Sequence, residues 1–428
     1  MTKETVLRKH VTKEMEGTYL ELPFHMEKNV ERLDISYEYQ RMRQVELDGI
    51  MESGEVNVID FALCDDQGRS VGASGSNRNH LWVSGTTACD GFHPVVLKEG
   101  EWRIVVGAYR VEEQGVDVTY TIRFTMKKRR LFKGETHVHT LCSDGFMPVD
   151  ETVNMAARMG LDFIILTDHN TTAQNNGIRP HDRITVIPGM EWTHYMGHAG
   201  LLGIHRPLRE CMHTNSLDET ALLFQDAREC GAMVVIYHPF CSLCPWKWGF
   251  EGIRYDAMEI WNGIMSERNI KAIGWWHMQL VAGLKIPTMG GSDFHRPGLL
   301  GSMGAPCMQV YAMSREHEDI LHAIRNGHGF MSYLPDGPGI DVNGLGESLK
   351  RGTALKIRFF NLRSQDVIRL ITDKDEEEII CGNNVREMAF ERKRNDILFY
   401  RFEVTRCYEK GLPPMLAMLS NPVYFEKD

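Results

Sequence analysis

Two histidines one residue apart, His137 and His139, stand in the run GETHVH. Successive side chains of a strand point to opposite faces, so these two imidazoles share one face. Asp144 follows in the next loop, and Asp168 and His169 follow the apolar run FIILT. Neutral imidazole and carboxylate are ligands that suit Zn²⁺, Mn²⁺ or Fe²⁺. This stretch therefore predicts half of a metal site.

The rest of the chain supplies more side chains of the same kind, each near the end of a predicted strand. In parallel α/β folds, chemistry collects where the carboxyl ends of the strands meet. A lone histidine there is more often a hydrogen-bonded core residue. Packing does not explain why histidine, aspartate or glutamate recurs at the ends of several strands. Without a cysteine-rich set, a purely structural zinc site is disfavoured. The further candidates are Glu191 after VIPGM, His194 and His198 just beyond it, His238 after VVIY, and Asp293 and His295 after PTMGGS.

The central region, 131–330, must position these residues, and it alternates predicted strands with predicted helices. The segment 148–160 has Pro148 near its start, Asp150 and Glu151 in its first turn and Gly160 at its end, which is typical of a helix. Alternating β and α units indicate a parallel sheet, open or closed into a barrel. Strands are predicted at 163–167, 184–187, 233–237, 257–261 and 287–290, and further helices at 217–230, 266–284 and 315–325.

The flanking regions lack helical periodicity. Short alternating runs separated by turn signals predict a β-sandwich or jelly-roll-like domain over 1–130. Similar runs predict a small β-rich domain over 331–428, with a solvated turn at 373–378. The N-terminal runs are 19–22, 32–37, 57–63, 102–109 and 116–124, and the C-terminal runs are 354–359, 367–371, 399–404 and 417–419.

The composition is that of a soluble globular protein. Of 428 residues, 43% are hydrophobic and 25% charged, and the net charge is -10. An acidic balance argues against a nucleic-acid partner, which usually requires a basic surface. The N-terminal segment has no apolar core typical of a secretion signal, and no apolar run is long enough to cross a membrane. We therefore expect a cytoplasmic protein without a membrane partner, and a homo-oligomer is compatible with the sequence.

The ten cysteines are scattered along the chain. Thiols in a cytosolic protein normally stay reduced. Cys241 and Cys244, in the run CSLC, are the pair with suggestive spacing. One isolated C-x-x-C more often packs a loop than binds zinc or carries redox chemistry.

Six pieces of the sequence closely resemble the polymerase-and-histidinol-phosphatase (PHP) family. They are HVHTLCSDG, LTDHN, GMEW, GHAGLLG, YHP and GGSDFH, in the family's order over residues 134–297. The form of the GMEW and GHAGLLG pieces and the flanking β-segments look most like the carbaryl-hydrolase-type (CehA/McbA) branch. The resemblance implies an α/β fold, a distorted (β/α)7 barrel, with two or three divalent metal ions (Zn, Mn or Fe) at its C-terminal rim.

The resemblance also implies metal-binding roles. His198 is favoured over the competing His194 because GHAGLLG fits the family piece and Gly197 lets the backbone approach closely; His194 then becomes a substrate candidate. Asp168 is expected to accept a hydrogen bond or cap the next turn. The implied ligands are His137, His139, Glu191 and Asp293 for one ion, Glu191 as a bridge with His198 and His238 for a second, and Asp144, His169 and His295 for a third.

The chemistry implied by such a centre is metal-dependent hydrolysis of a small-molecule ester. Two ions can share a hydroxide that acts as the nucleophile, and this suits a phosphoester best. The same hydroxide could attack a carboxylic ester or carbamate, which is the alternative; a non-catalytic binding module is the least favoured reading. The sequence contains no GxSxG elbow, so a mechanism with a serine nucleophile is disfavoured. The catalytic candidates are Glu191, Asp293 and His295, and the substrate-side candidates are Arg296, Arg206, Lys247 and His194, although the cations also suit surface ion pairs.

Overall fold

The computed structural model describes residues 2–47, 50–75, 77–208, 212–298 and 302–426. The chain divides into two compact units. The first comprises residues 1–128 with 180–182, and the second comprises 129–179 with 183–428. Strands dominate both units, and the α-helices of the described residues belong to the second.

In its described part, the first unit contains two four-stranded antiparallel sheets, ordered β1-β10-β3-β8 and β2-β9-β6-β7. Their inner faces share one core, in which the rings of Tyr37 and Phe61 lie 4.8 Å apart. Alternate residues of β6 and β10 are buried, as one-sided sheets require. The strands are β1 (Thr2–Val11), β2 (Tyr19–Met26), β3 (Val30–Glu38), β4 (Met42–Leu47), β5 (Ile50–Glu55), β6 (Val58–Cys64), β7 (Ser70–Ser74), β8 (His80–Ser84), β9 (Gly100–Arg110) and β10 (Val116–Met126).

The second unit begins with strands and helices that alternate as the sequence predicts. The helices at 149–158, 217–229, 267–281 and 317–325 fall inside the predicted segments. Among the described residues, no helix is both long and apolar enough to span a membrane. The elements are β11 (Arg130–Val138), α1 (Val149–Arg158), β12 (Phe163–Leu166), β13 (Thr185–Ile187), β14 (Gly189–His194), β15 (Gly197–Leu202), α2 (Leu217–Glu229), β16 (Met233–Tyr237), β17 (Ala257–Asn262), α3 (Glu267–Val281), β18 (Thr288–Gly291), β19 (Cys307–Ala312), α4 (His317–Arg325) and β20 (Gly329–Ser332).

The sheets of this region are mixed, which corrects the prediction of a parallel sheet. Strands β11, β12 and β13 pair in parallel, and so do β16, β17 and β18. Between them, β14 and β15 form an antiparallel hairpin, and β15 also pairs antiparallel with β16. The turn, Tyr195 and Met196, lacks the Asn-Gly type of signal that marks a two-residue hairpin in a sequence. The structure is thus strand-rich mixed α/β, and the barrel stays a prediction.

The C-terminal strands continue a sheet of the central region. The sheet runs β13-β12-β11-β19-β20-β28-β27-β24-β25, so residues on both sides of 330 share it. Separation of 331–428 as a domain stays a prediction. The strands are β21 (Gly339–Val342), β22 (Ser348–Leu349), β23 (Leu355–Phe360), β24 (Val367–Ile371), β25 (Glu376–Ile380), β26 (Met388–Arg392), β27 (Phe399–Arg406), β28 (Met415–Ser420) and β29 (Val423–Phe425).

The expected turn at 373–378 is wrong in its second half, because β25 begins at Glu376. This strand lies at the edge of its sheet, and its glutamates are paired with arginines. Arg369 Nε lies 3.0 Å from Glu376 Oε1, and Arg392 Nε lies 2.9 Å from Glu377 Oε2. Charged side chains protect edge strands from pairing with other chains, so a charge-rich run can be a strand there.

Candidate metal centre

His137 and His139 are buried on one face at the end of β11, as the sequence predicts. Their ring centroids lie 5.3 Å apart. The neighbouring strand β18 can approach closely because it carries Gly291. A Cβ atom at that position would lie 2.6 Å from the Cβ atom of His137. The glycine therefore brings the loop that carries Asp293 against the histidine pair.

Glu191, on β14, is fully buried, and its two carboxylate oxygens face different histidines. Oε1 lies 2.8 Å from His198 Nδ1 and 3.2 Å from His238 Nε2. Oε2 lies 3.3 Å from the Nε2 atoms of both His137 and His139. The carboxylate therefore stands between two pairs of imidazoles, in the arrangement required of a bridging ligand.

Asp293 follows β18 and completes the group around the histidine pair. Its Oδ1 atom lies 3.4 Å from His137 Nε2 and 3.2 Å from His139 Nε2. Asp293 and His238 both have positive φ angles, 54° and 27°. Such backbone strain costs on the order of 1–3 kcal/mol per residue and is concentrated at functional sites. The strain places both side chains in the cluster.

A third group surrounds Asp144 on the more exposed side of the cluster. Asp144 Oδ1 lies 3.8 Å from His139 Nδ1, 3.6 Å from His169 Nε2 and 3.3 Å from His295 Nε2. His169 also reaches the centre, because its Nδ1 atom lies 3.0 Å from Glu191 Oε2. The Asp144 side chain is 59% exposed and that of His295 31% exposed, whereas Glu191 is inaccessible. The cluster therefore opens to solvent at Asp144.

The buried donor atoms fit divalent ions. His137 Nε2, both ring nitrogens of His139 and Glu191 Oε2 are buried without a hydrogen-bond partner. Leaving such groups unpaired costs about 1–3 kcal/mol each. Two ligands of one tetrahedral zinc ion lie roughly 3.4 Å apart, given Zn–N and Zn–O bonds of about 2.1 Å. The separations of 3.2–3.4 Å from Glu191 Oε2 and Asp293 Oδ1 to the Nε2 atoms of His137 and His139 agree with that value.

The structure brings all nine predicted ligands together, and their roles as ligands stay predictions. The groups whose donor atoms lie within 4.8 Å of one another are His137, His139 and Glu191; His137, His238 and Asp293; His139, Asp144, His169 and His295; and His198, His238 and Cys244.

The carboxylates control the protonation of the histidines. Burial alone would lower the pKa of His137, but Asp293, Glu259 and Glu191 outweigh burial and hold this pKa well above its ordinary value. For His139, burial also lowers the pKa, but the adjacent carboxylates of Asp293 and Glu191 outweigh burial and raise it to about 9. Burial would raise the pKa of Glu191, yet the surrounding imidazoles, led by His137, hold it well below its usual range. The ligand-free cluster therefore holds protons that an ion must displace.

We expect the apparent affinity for Zn²⁺ or Mn²⁺ to rise with pH up to about 9, where His139 loses its proton. Metal ions bind neutral imidazole, so affinity falls wherever the ligand is protonated. An ordinary histidine, with a pKa of about 6.5, would give affinity that levels off by roughly pH 7.5. Competition with a chromophoric chelator from about pH 6 to about pH 10, corrected for the chelator's own titration, measures this profile. A plateau already at neutral pH would contradict the expectation.

His194 is placed differently from His198. Its Nε2 atom lies 2.9 Å from the carbonyl oxygen of Thr214, and its Nδ1 atom accepts a hydrogen bond of 3.1 Å from Met196 N. The ring stacks on Trp192, with centroids 5.1 Å apart. Both nitrogens are thus engaged by the backbone, whereas His198 faces Glu191. The geometry favours His198 as the ligand.

Replacing His194 by alanine is expected to leave the metal content unchanged, because neither of its nitrogens is directed at the cluster. The matched variant His198→Ala should lose at least one ion per chain, since it removes a nitrogen 2.8 Å from Glu191 Oε1. Elemental analysis of both variants after identical metal loading measures the difference. Loss of an ion from the His194 variant alone would reverse the assignment.

A cavity of about 1350 Å³ adjoins the cluster at His198. His194 and the exposed Lys247 also line it, together with apolar side chains. Arg206 and Arg296 are exposed and are absent from its described lining. The guanidinium of Arg296 instead lies 5.3 Å from the ring centroid of Phe146. Contact between these cations and substrate stays a prediction.

Two buried carboxylates that support the cluster are not among the candidates from the sequence. Glu259, in β17, lies with Oε1 3.0 Å from His137 Nδ1, and its Oε2 accepts a hydrogen bond from His238 N. Glu135, in β11, accepts hydrogen bonds from backbone N–H groups that include those of His137 and Ser292. A lone glutamate inside a predicted apolar strand, as in AMEIWN, is the signal that could have identified Glu259.

Two neighbouring polar residues have structural contacts. Asp168 is buried and accepts hydrogen bonds from Thr140 N at 2.8 Å and Ser143 Oγ at 2.8 Å, as predicted. Asn262, at the end of β17, donates to Glu259 Oε2 and Asp293 Oδ2. Both therefore support the loops that carry the ligands.

No protein-family model and no curated protein matches the sequence. Among solved structures, the chain is similar to a two-domain protein from Bacteroides vulgatus described as containing a predicted PHP-like metal-dependent phosphoesterase. The TM-score is 0.40 with 18% identity, over 67% of this chain and 95% of that chain.

Two other solved structures show distant similarity. One, from Bifidobacterium adolescentis, is described as a predicted metal-dependent phosphoesterase (TM-score 0.30, 14% identity, 44% of this chain and 94% of that chain). The other is an amidohydrolase from Chromobacterium violaceum with bound sulfate and no metal (TM-score 0.30, 17% identity, 39% of this chain and 89% of that chain). Because identities and TM-scores are low, the roles assigned to this chain rest on the geometry of its own residues.

Proposed function

We propose that this chain is a metal-dependent hydrolase of the PHP type, and that its substrate is a small-molecule phosphoester. The observation that carries the proposal is the position of Glu191, whose two oxygens face two separate pairs of buried histidines. A carboxylate in this position would be shared by two ions if each histidine pair held one, and paired ions are typical of enzymes that hydrolyse phosphoesters.

Divalent ions bound by these residues would activate water as a nucleophile and stabilise the charge on substrate oxygens. The protein's own contribution is to hold the ligands rigidly. Glu259 orients His137 through the ring nitrogen that faces away from the cluster. Asp293 Oδ1 lies 3.6 Å from His295 Nδ1, and His295 in turn contacts Asp144 on the partly exposed side of the cluster. Burial of Glu191 and the histidine pair excludes bulk water from the centre.

The exposure of the cluster determines the side from which substrate approaches. His137, His139 and Glu191 are inaccessible, whereas Asp144 and His295 are partly exposed. The Asp144 group therefore lies where an incoming phosphoryl group would first meet the protein. Catalysis of phosphoryl transfer depends mainly on positioning and on stabilising charge on oxygens. The Asp144 group beside the Glu191 cluster, which could hold a further ion, supports the phosphoester assignment, as does the cation Lys247 in the adjoining cavity.

A second candidate function is hydrolysis of an aryl carboxylic ester or carbamate. The cavity beside His198 is lined by several apolar side chains, which suit an aromatic leaving group better than a hydrophilic one. This feature and the sequence pieces support the carbaryl-hydrolase-type branch. The apolar lining residues are Met190, Met196, Leu208, Met212, Leu243 and Trp248.

For the fold, we propose that the two central sheets close into the (β/α)7 barrel of the PHP family. Two isolated bridges between the sheets support closure. His169 pairs with Glu191, and Val138 pairs with Phe294, in both cases in parallel. The first bridge joins the loop that carries His169 to strand β14, and the second joins strand β11 to the loop that carries Asp293 and His295.

The test compares an aryl phosphate, an aryl phosphodiester, an aryl acetate and an aryl carbamate as substrates. The protein is stripped of metal and reloaded with Zn²⁺, Mn²⁺ or Fe²⁺. We expect phosphate turnover that a chelator abolishes and one of these ions restores, and no turnover by the Glu191→Gln variant purified in parallel. Faster turnover of the acetate or carbamate would favour the second candidate. Full metal occupancy without turnover of any substrate would overturn both.

A further inference from the structure

Two free cysteines lie beside the predicted metal ligand His238, in the loop that follows β16. Cys241 Sγ and Cys244 Sγ are 3.3 Å apart, and Cys244 Sγ is 3.8 Å from His238 Nδ1. Cys241 is buried, whereas Cys244 lines the cavity beside the cluster. The C-x-x-C pair is therefore part of the surroundings of the metal centre.

The ring of His238 lies between Glu191 and Cys244. Nε2 faces Glu191 Oε1 at 3.2 Å, so Nδ1 points away from the cluster, toward the sulfur. His137 has the same arrangement, with Nε2 toward Glu191 and Nδ1 3.0 Å from Glu259. A histidine that binds metal usually donates its other N–H to a carboxylate, carbonyl or water, which fixes the ring. At His238, the Cys244 sulfur occupies the position that a carboxylate occupies at His137.

We propose that Cys241 and Cys244 form a redox-sensitive pair, and that their oxidation to a disulfide weakens metal binding through His238. The inference rests on the proposed function to the extent that His238 must bind a metal ion. Cys244 is then a positioning residue. It accepts the Nδ1–H of His238 and donates its own S–H to Cys241, in the direction that the sulfur–sulfur contact indicates.

The oxidant that the cavity admits is a small-molecule disulfide. Cys244, as the thiolate, attacks one sulfur of that disulfide, forming a mixed disulfide and releasing one small thiolate. Cys241, as the thiolate, then attacks Cys244 Sγ, forming the protein disulfide and releasing the second small thiolate. The two protein thiols lose two electrons and two protons, and the reagent gains them as two thiols. The buried Cys241 is suited to the second step, with Arg268 Nη1 3.8 Å from its sulfur.

Oxidation changes the partner of His238. The sulfur–sulfur distance must shorten from 3.3 Å to about 2.05 Å. Forming this bond displaces Cys244 Sγ from its 3.8 Å contact with His238 Nδ1, and a disulfide sulfur is a weaker acceptor than a thiolate. Loss of the outer partner of a metal-binding histidine typically weakens metal affinity by roughly 10- to 100-fold. We expect a loss of that size for one ion.

The experiment measures Zn²⁺ affinity by chelator competition, with reduced protein and with protein treated with oxidised glutathione. Peptide mapping identifies the Cys241–Cys244 disulfide, and a subsequent reductant should restore affinity. The variant Cys241→Ser should keep the affinity of the reduced protein and lose the response to oxidant. Cys244→Ala, which removes the acceptor from His238 Nδ1–H, should have weakened affinity even when reduced. Cys142→Ser, which removes an exposed thiol, should respond like the unmodified chain.

The outcomes separate this inference from the proposed function. A mapped disulfide with unchanged Zn²⁺ affinity would overturn the inference while the metal centre stands. Failure of the pair to oxidise would also overturn it. A thiolate-to-metal absorption band in the Co²⁺-loaded protein, lost in Cys244→Ala, would show that the sulfur binds metal directly and would overturn the positioning role. Reduced protein that binds no Zn²⁺ would overturn the metal centre itself.

Discussion

Replacing Glu191 by glutamine is expected to abolish both hydrolysis and binding of at least one divalent ion, while the chain stays folded. The carboxylate is the common neighbour of the two histidine pairs, at 2.8–3.3 Å from their nitrogens. Glutamine has the same shape, but its amide group directs N–H donors at one pair and carries no charge. Removal of an outer partner alone typically costs 10- to 100-fold in metal affinity or activity. Loss of the shared ligand should exceed about 100-fold.

The matched variant is Glu259→Gln, which changes a buried glutamate that contacts His137 from outside the cluster. This variant should retain metal, with affinity or turnover reduced by roughly 10- to 100-fold. Elemental analysis, turnover with a saturating supply of ion and far-ultraviolet circular dichroism distinguish the two variants. Equal losses in both would show that Glu191 is not the shared ligand. Full activity of Glu191→Gln would refute the proposed centre.

Replacing Glu135 by alanine is expected to destabilise the second unit by about 3 kcal/mol or more. This buried carboxylate accepts hydrogen bonds from His137 N at 3.2 Å, Ser292 N at 2.9 Å and Gly304 N at 2.6 Å, as well as from the Ser292 hydroxyl. Each buried donor that loses its acceptor costs about 1–3 kcal/mol. The truncation also leaves a cavity between β11 and the loop after β18. The metal ligands on both segments should then lose their fixed spacing.

The control for this prediction is Glu135→Gln, which fills the same volume and keeps one acceptor oxygen. It should lose less stability than the alanine variant. Urea unfolding of the metal-free proteins, followed by tryptophan fluorescence, measures the free energy of unfolding without the contribution of bound ions. A change of under about 1 kcal/mol in the alanine variant would show that other groups satisfy these donors.

Local signals explain the elements that the sequence predicts well. Helix α1 begins after Pro148 and carries acidic residues in its first turn, and α2 is capped at its N-terminus by Ser216, whose hydroxyl accepts a hydrogen bond from Glu219 N. These features act within one turn, so they are visible in the sequence. The β14–β15 hairpin and strand β25 were missed because a turn without glycine and a charged edge strand have no comparable local signature.

The sequence by itself determined the donor set of the candidate centre. Two histidines on one strand face and acidic or histidine residues after other strands predict a common site, because strand ends meet at one edge. All nine predicted ligands lie together in the structure. Periodicity and predicted strand ends supply the candidate side chains, and the choice of these nine among them is what the resemblance to the PHP family implies.

Only the tertiary structure decided which of these donor atoms face one another and which residues hold them in place. The different roles of His198 and His194 depend on the register of the hairpin. This register turns the ring of His198 toward Glu191 and the ring of His194 toward Thr214. The contact between His137 and Glu259 joins residues 122 positions apart in the chain. Burial, strand register and such long-range contacts are properties of the packed chain, so no local pattern specifies which oxygen faces which imidazole.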